Sequence, residues 1–292
     1  MHPFLDQLLA SGPVVTDGAW GTQLQARELP LGSCPDLWNL QEPERVEEVA
    51  RAYVEAGSQV ILTNTFGANR FMLQRHGAVD DAAAINRAGV EISRRAAGGR
   101  AKVFASMGPS GVVLLMGQVP PAEVEAAFAE QAAALAQAGA DGLVIESMSD
   151  PAEAKLAVAA ARRTGLPVVA CMVFDCGKQL DRTMMGSTPE QCAEILLEAG
   201  ADVVGSNCGQ GIAGFVPICR RLAAASGRPV WIKANAGLPQ VRDGQTVYDQ
   251  TPEQFADYVP ALIEAGAGML GGCCGTTPDF IRAVTQRLPN LP

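Results

Sequence analysis

Three cysteines stand where a metal could be held. Cys208 lies in Asn207-Cys208-Gly209, and Cys273 and Cys274 are adjacent within Gly271-Gly272-Cys273-Cys274-Gly275. As buried small hydrophobes the adjacent pair would sit among core residues, but its neighbours are glycines. As a vicinal disulfide it would close a strained ring, in a chain of 292 residues whose eight cysteines are too sparse for a disulfide scaffold. The third reading is metal ligation. Consecutive side chains on a strand point to opposite faces, so both thiols reach one ion only where the backbone turns, and Gly271, Gly272 and Gly275 permit a turn. Three soft sulfur ligands favour zinc, and three protein ligands instead of four leave an open position, which marks a catalytic site.

The remaining thiols read as packing residues: Cys192 and Cys219 in helices, Cys171 in mid-strand and Cys34 in a loop. Cys176, just past a strand, could approach the same region. Asp17 and Glu146 are carboxylates at two other strand ends. They suit either a glycosidase-like acid/base pair or, beside a thiolate site, the holding of a substrate ammonium. The only histidines are His2, in an N-terminal tail, and His76, so a histidine general base is not expected. Gly209-Gln210-Gly211-Ile212-Ala213-Gly214 matches a dinucleotide fingerprint, which also wants an acidic residue about 20 positions on. No Asp or Glu occurs from 215 to 242. These glycines are instead expected to let backbone amides and a helix N-terminus approach a substrate.

The elements that must position these groups repeat along the chain. Helix-like stretches end in Ala56-Gly57, Ala138-Gly139, Ala199-Gly200 and Ala265-Gly266, and a short apolar run follows each. Glycine is the expected residue just past a helix C-terminus. Runs rich in Val, Ile and Leu without alternation read as strands covered on both faces of a parallel sheet. Four more strands are expected at about 13–17, 102–107, 167–174 and 229–234. Helices are expected near 44–56, 80–97, 121–138, 151–164, 189–199, 212–225, 252–265 and 278–288, several opening with a cap and a proline: Asp150-Pro151, Thr188-Pro189, Thr251-Pro252 and Thr277-Pro278. Eight strand–helix units in one uninterrupted chain predict a single (β/α)8 barrel domain over 1–292, with a β-hairpin inserted after the seventh strand (236–250) that could cover the mouth. In such barrels the strands' C-terminal ends carry the active site. Here those ends supply Asp17, Thr65, Glu146, Cys208, Asn235, Cys273 and Cys274, with Phe66 next to Thr65.

Composition narrows the partners. Apolar residues are 48% and charged residues 18%, enough for a large core. A net charge of −9 disfavours nucleic acid and anionic membranes, which need a basic face. No apolar run approaches the ~18 residues of a membrane span, and no signal peptide is read at the start. A cytoplasmic location, with thiols free or metal-bound, is expected.

Taken together, "DGAWGT" (17–22), "LTNTFGANR" (62–70), "SNCG" (206–209), "ANAGLP" (234–239) and "GGCCGTTP" (271–278) resemble the homocysteine S-methyltransferase family. That family includes the homocysteine-binding domain of cobalamin-dependent methionine synthase and the betaine–homocysteine methyltransferases. The resemblance, over about 13–288, implies a zinc-dependent (β/α)8 barrel that methylates the homocysteine thiol to give methionine. It implies zinc ligation by Cys208, Cys273 and Cys274, which are also the catalytic residues. It further implies contacts from Asp17 and Glu146 to the homocysteine amino group, and Asn235 beside the metal. Thr65 and Phe66 complete the expected substrate site.

The donor implied by "TNTFGANR" is methylcobalamin, carried on a separate corrinoid protein because no cobalamin domain is read in this chain. Trp38 in "CPDLWN" resembles enzymes using betaine or S-methylmethionine, which are the alternative donors. A methyltransferase for another thiol, a metal-free hydrolase using Asp17 and Glu146, and a non-catalytic zinc or thiol-binding subunit are the other readings.

Overall fold

The computed structural model describes residues 1–242 and 245–288. The eight expected strands form one sheet. They are β1 (Val14–Val15), β2 (Val60–Ile61), β3 (Lys102–Met107), β4 (Gly142–Met148), β5 (Val168–Met172), β6 (Val203–Gly211), β7 (Val230–Asn235) and, after a hairpin of β8 (Gln240–Arg242) and β9 (Gln245–Val247), β10 (Ala267–Gly272). The order is β1-β10-β7-β6-β5-β4-β3-β2, so successive barrel strands pair with one another except β1 and β2, and the ladders are parallel. Helices between successive strands make this a nearly closed α/β barrel.

The last seam, between β1 and β2, is closed differently. One backbone bond crosses it, from Gln59 N–H to the Val15 carbonyl at 2.8 Å. Side chains supply the rest: the Val15 N–H donates to Gln59 Oε1 at 2.9 Å, and the Leu62 N–H donates to Asp17 Oδ2 at 2.7 Å. Without a continuous ladder these two strands are shorter than the apolar runs at 13–17 and 58–65 suggested.

Period-2 alternation sorts side chains between the barrel interior and the helix layer. On β7, Val230, Ile232 and Ala234 face the helices, whereas Trp231 joins an interior cluster with Phe104, Val144, Val169, Cys171, Val203 and Met269. Leu5 belongs to that cluster and is fully buried. It comes from a helix, Pro3–Leu9, capped by the His2 side chain, in a segment expected to be only a tail. The helix lies against the N-terminal ends of the strands and fills the bottom of the barrel.

The four glycines expected just past helices all adopt positive φ: Gly57 (103°), Gly139 (91°), Gly200 (107°) and Gly266 (105°). Thr188 and Thr251 make complete capping boxes and Asp150 caps Ala152 N–H, but Thr277 makes no side-chain cap. The helix expected at 252–265 is divided into Pro252–Ala256 and Val259–Glu264. Pro260 has no N–H for the Ala256 carbonyl, which favours a break at this point. The hairpin pairs Gln240 with Val247 and Val241 with Thr246; its expected turn, Asp243-Gly244, lies outside the described residues.

Candidate metal centre and substrate floor

The three cysteines converge. β6 and β10 flank β7, and the sulfur atoms of Cys208, Cys273 and Cys274 all lie within 4.8 Å of one another, with Cys208 and Cys274 3.9 Å apart. Among the described residues this is the one such cluster of possible metal ligands. The backbone bends to bring them in. Cys208 and Gly209 take φ of +61° and +81° at the end of β6. Past β10 the chain makes a tight turn in which the Thr276 N–H (3.1 Å) and Oγ1 (2.7 Å) both donate to the Cys273 carbonyl. Gly275 is the third residue of that turn at φ +81°, where a side chain is disfavoured. A Cβ there would also lie 2.3 Å from the Tyr248 ring. Gly271 and Gly272 do not take part in the turn. They are required by close approach, since a Cβ would fall 2.0 Å from Thr16 Oγ1 or 2.3 Å from Thr276 Oγ1.

The surroundings suit a soft cation. The Asn235 side chain packs against Cys208, and its Oδ1 is buried with no hydrogen-bond donor. Three converging thiols, one of them accepting from the Asn235 amide, are a soft donor set that fits zinc. Cys208, accepting from Cys273 and Cys274, is held well below the usual thiol range, while Cys273 and Cys274 are pushed up. Asn207 ties this corner to β4. Its Oδ1 accepts from Ser147 N–H and its Nδ2 donates to Ser147 Oγ, each at 2.7 Å, and Nδ2 also faces Cys273 Sγ at 3.9 Å. Tyr248, just past the hairpin, hydrogen-bonds Cys274.

Beneath the thiols lies a charged floor. Asp17 (0% exposed) is ion-paired with Lys233 (2%) through Oδ1, and its Oδ2 accepts from Trp20 Nε1 at 2.8 Å and Leu62 N–H at 2.7 Å. Glu146 (8% exposed) accepts from Ser106 Oγ through Oε1. Burial lifts the Glu146 carboxyl above its ordinary range, against the pull of Lys233 and Ser106. Burial pushes the Lys233 ammonium down, but Asp17 and Glu146 outweigh it and the net shift is upward.

Thr65 is fully buried, donating to the Ser106 carbonyl at 2.7 Å and touching Thr63 Oγ1 at 2.6 Å. Phe66 is 41% exposed and lies over Gly108. Trp38 is buried with the Arg45 guanidinium 5.4 Å above its ring, so that face is already occupied. Gln210 folds over Gly214 and donates to the carbonyls of Phe174 and Leu180, so packing accounts for that glycine. Cys34, Cys171, Cys192 and Cys219 are buried outside the cluster. Cys176 pairs instead with Arg182 in an isolated bridge.

Lys233, Asn207, Ser106 and Tyr248 were not singled out from sequence. Lys233 was findable: it is a lone charge in the apolar run "VWIKANA", two residues before Asn235 and so on the same face.

A parallel eight-stranded barrel with three thiols at the C-terminal ends of its strands defines a (β/α)8 protein with a thiolate site. The chain belongs to the homocysteine S-methyltransferase family, whose profile matches residues 14–288. It is 31% identical to methionine synthase of Mycobacterium tuberculosis over 97% of this chain and 32% identical to that of Mycobacterium leprae over 95%. It spans about a quarter of the length of these relatives (25% and 24%). The metallated homocysteine methyltransferase MmuM of Escherichia coli has the same fold, with a TM-score of 0.81 at 24% identity over 97% of this chain and 99% of that one.

Proposed function

We propose that this chain is a zinc-dependent homocysteine S-methyltransferase that forms methionine. The convergence of three thiols at the ends of β6 and β10 carries the reading. Cys208, Cys273 and Cys274 would hold the zinc, with Asn235 beside them. Bound zinc would keep an incoming thiol deprotonated at neutral pH, where a free thiol with pKa of about 8.5 is mostly protonated. The protein's own residues do the positioning. Asn207 braces the strand ends, Tyr248 and the Gly275 turn hold Cys274 in place, and Glu146 offers a carboxylate to the acceptor's ammonium. Thr65 fixes the wall beneath Phe66, and Phe66 supplies an apolar surface.

For the donor, the reading favours methylcobalamin delivered on a separate corrinoid protein. Exposed apolar side chains on the loops after β3, β5 and β7 support delivery by a macromolecule: Val113, Leu115 and Met116, then Met184 and Met185, then Leu238 and Val241. The occupied face of Trp38 weighs against that ring caging a betaine-like donor.

The test is methionine formation, read by mass spectrometry, from zinc-loaded protein and homocysteine with betaine, S-methylmethionine, S-adenosylmethionine or free methylcobalamin. Turnover with methylcobalamin alone is expected. Turnover with a small onium compound would replace the corrinoid donor. Cys273→Ala is expected to abolish both bound zinc and activity; a variant that still turned over with its metal bound would overturn the proposal.

A further inference from the structure

The two carboxylates of the floor are not equivalent. Three of the roughly four acceptor positions of an ionised carboxylate are filled on Asp17, by Lys233, Trp20 and Leu62. Among the described residues Glu146 accepts from Ser106 alone. No donor among them meets its Oε2, and it is the least buried of the three charged groups, at 8% against 0% and 2%. Charge points the same way. Two buried carboxylates and one ammonium leave a single net negative charge, which complements one cation. Without Lys233, two carboxylates would converge on one site and could not both ionise easily.

Resting on the homocysteine reading, we propose that Lys233 is a positioning residue that removes Asp17 from the substrate site and leaves Glu146 as the one carboxylate for the acceptor's ammonium. Asp17 then acts on the substrate indirectly. It holds the Lys233 ammonium away from Glu146, and if it lost its charge Lys233 would turn to Glu146 and neutralise it.

The experiment compares binding of homocysteine and 4-mercaptobutanoate, the same thiol acid without its amino group, to zinc-loaded protein by calorimetry, with thermal melts of every variant. The parent should prefer homocysteine. Glu146→Gln should lose that preference by roughly 10- to 100-fold while 4-mercaptobutanoate binds as before. Asp17→Asn should melt roughly 10 °C lower, because it strands a buried ammonium, and should also lose the preference. Adding Lys233→Met to Asp17→Asn should restore it, together with part of the melting temperature.

A folded Asp17→Asn/Lys233→Met protein that still failed to prefer homocysteine would overturn the inference, because Asp17 would then be touching the ammonium itself. Equal binding of both thiols by the parent would overturn it too, while sparing the thiol-methyltransferase reading. Failure of the parent to bind either thiol would overturn the homocysteine reading. In that case the coupling of Asp17 and Lys233 in the melts still decides the pair, and additive effects would overturn it.

Discussion

At the scale of single residues, the site depends on a few positions whose chemistry is not interchangeable. Gly275 holds a positive φ under the Tyr248 ring. Gly275→Ala is expected to cost roughly 2–4 kcal/mol from left-handed strain and overlap. It should also lower zinc stoichiometry by displacing Cys274, which thermal melts and metal titration would check. Asp36, in the "CPDLWN" segment, is buried and its carboxyl is pushed up to about 6, although it accepts from Gly67 N–H at 2.9 Å. A folded pKa above the unfolded value of 3.8 means that this group favours folding below pH 3.8 and that its contribution is lost as pH rises through about 6. Asp36→Asn keeps an acceptor without the charge. It should therefore gain on the parent between pH 4 and pH 8 by an amount of the order of 2–3 kcal/mol, read from denaturant midpoints at the two pH values. The thiols and Glu146 were legible in the sequence because glycine-flanked cysteines and carboxylates at strand ends stand out from an apolar background. Lys233 leaves a local trace as the lone charge of "VWIKANA", but its pairing with Asp17, 216 residues away, leaves none.

At the scale of elements, propensity and punctuation explain most of what formed. The four expected Ala-Gly helix ends and the Thr-Pro or Asp-Pro helix starts mark six of the eight expected helices, because each signal is settled by the backbone of a few adjacent residues. The departures have two causes, a local one at a proline and tertiary context elsewhere. Pro260 divides one helix, and the strands at the seam are shortened because they lack a partner ladder. The helix Pro3–Leu9 has too few residues to be stable by itself, and it forms because Leu5 is received by the barrel interior. Leu5→Ala should accordingly cost about 2–5 kcal/mol, a large penalty for a substitution five residues from the N-terminus, measurable as a fall in the denaturation midpoint.

At the scale of the molecule, the barrel separates its tasks by end: a plug at the bottom, thiols and charge at the top, and around the top a rim of exposed apolar side chains. Among the described residues no helix is long and apolar enough to cross a membrane. Replacing Met116 and Met184 by Ser should slow methyl transfer from a protein-bound corrinoid several-fold and leave transfer from free methylcobalamin unchanged, as steady-state rates with the two donors would show. The seam between β1 and β2 carries a different implication. A hoop is only as sound as its clasp, and here one part of the clasp is Asp17, which fastens Leu62 with one oxygen and restrains Lys233 with the other. On the proposed role of Asp17, drift in substrate preference through this carboxylate would be coupled to the closure of the hoop. A lineage exploring new acceptors has its free variation at Glu146 and the rim, and it can change Asp17 only after something else has taken over the fastening.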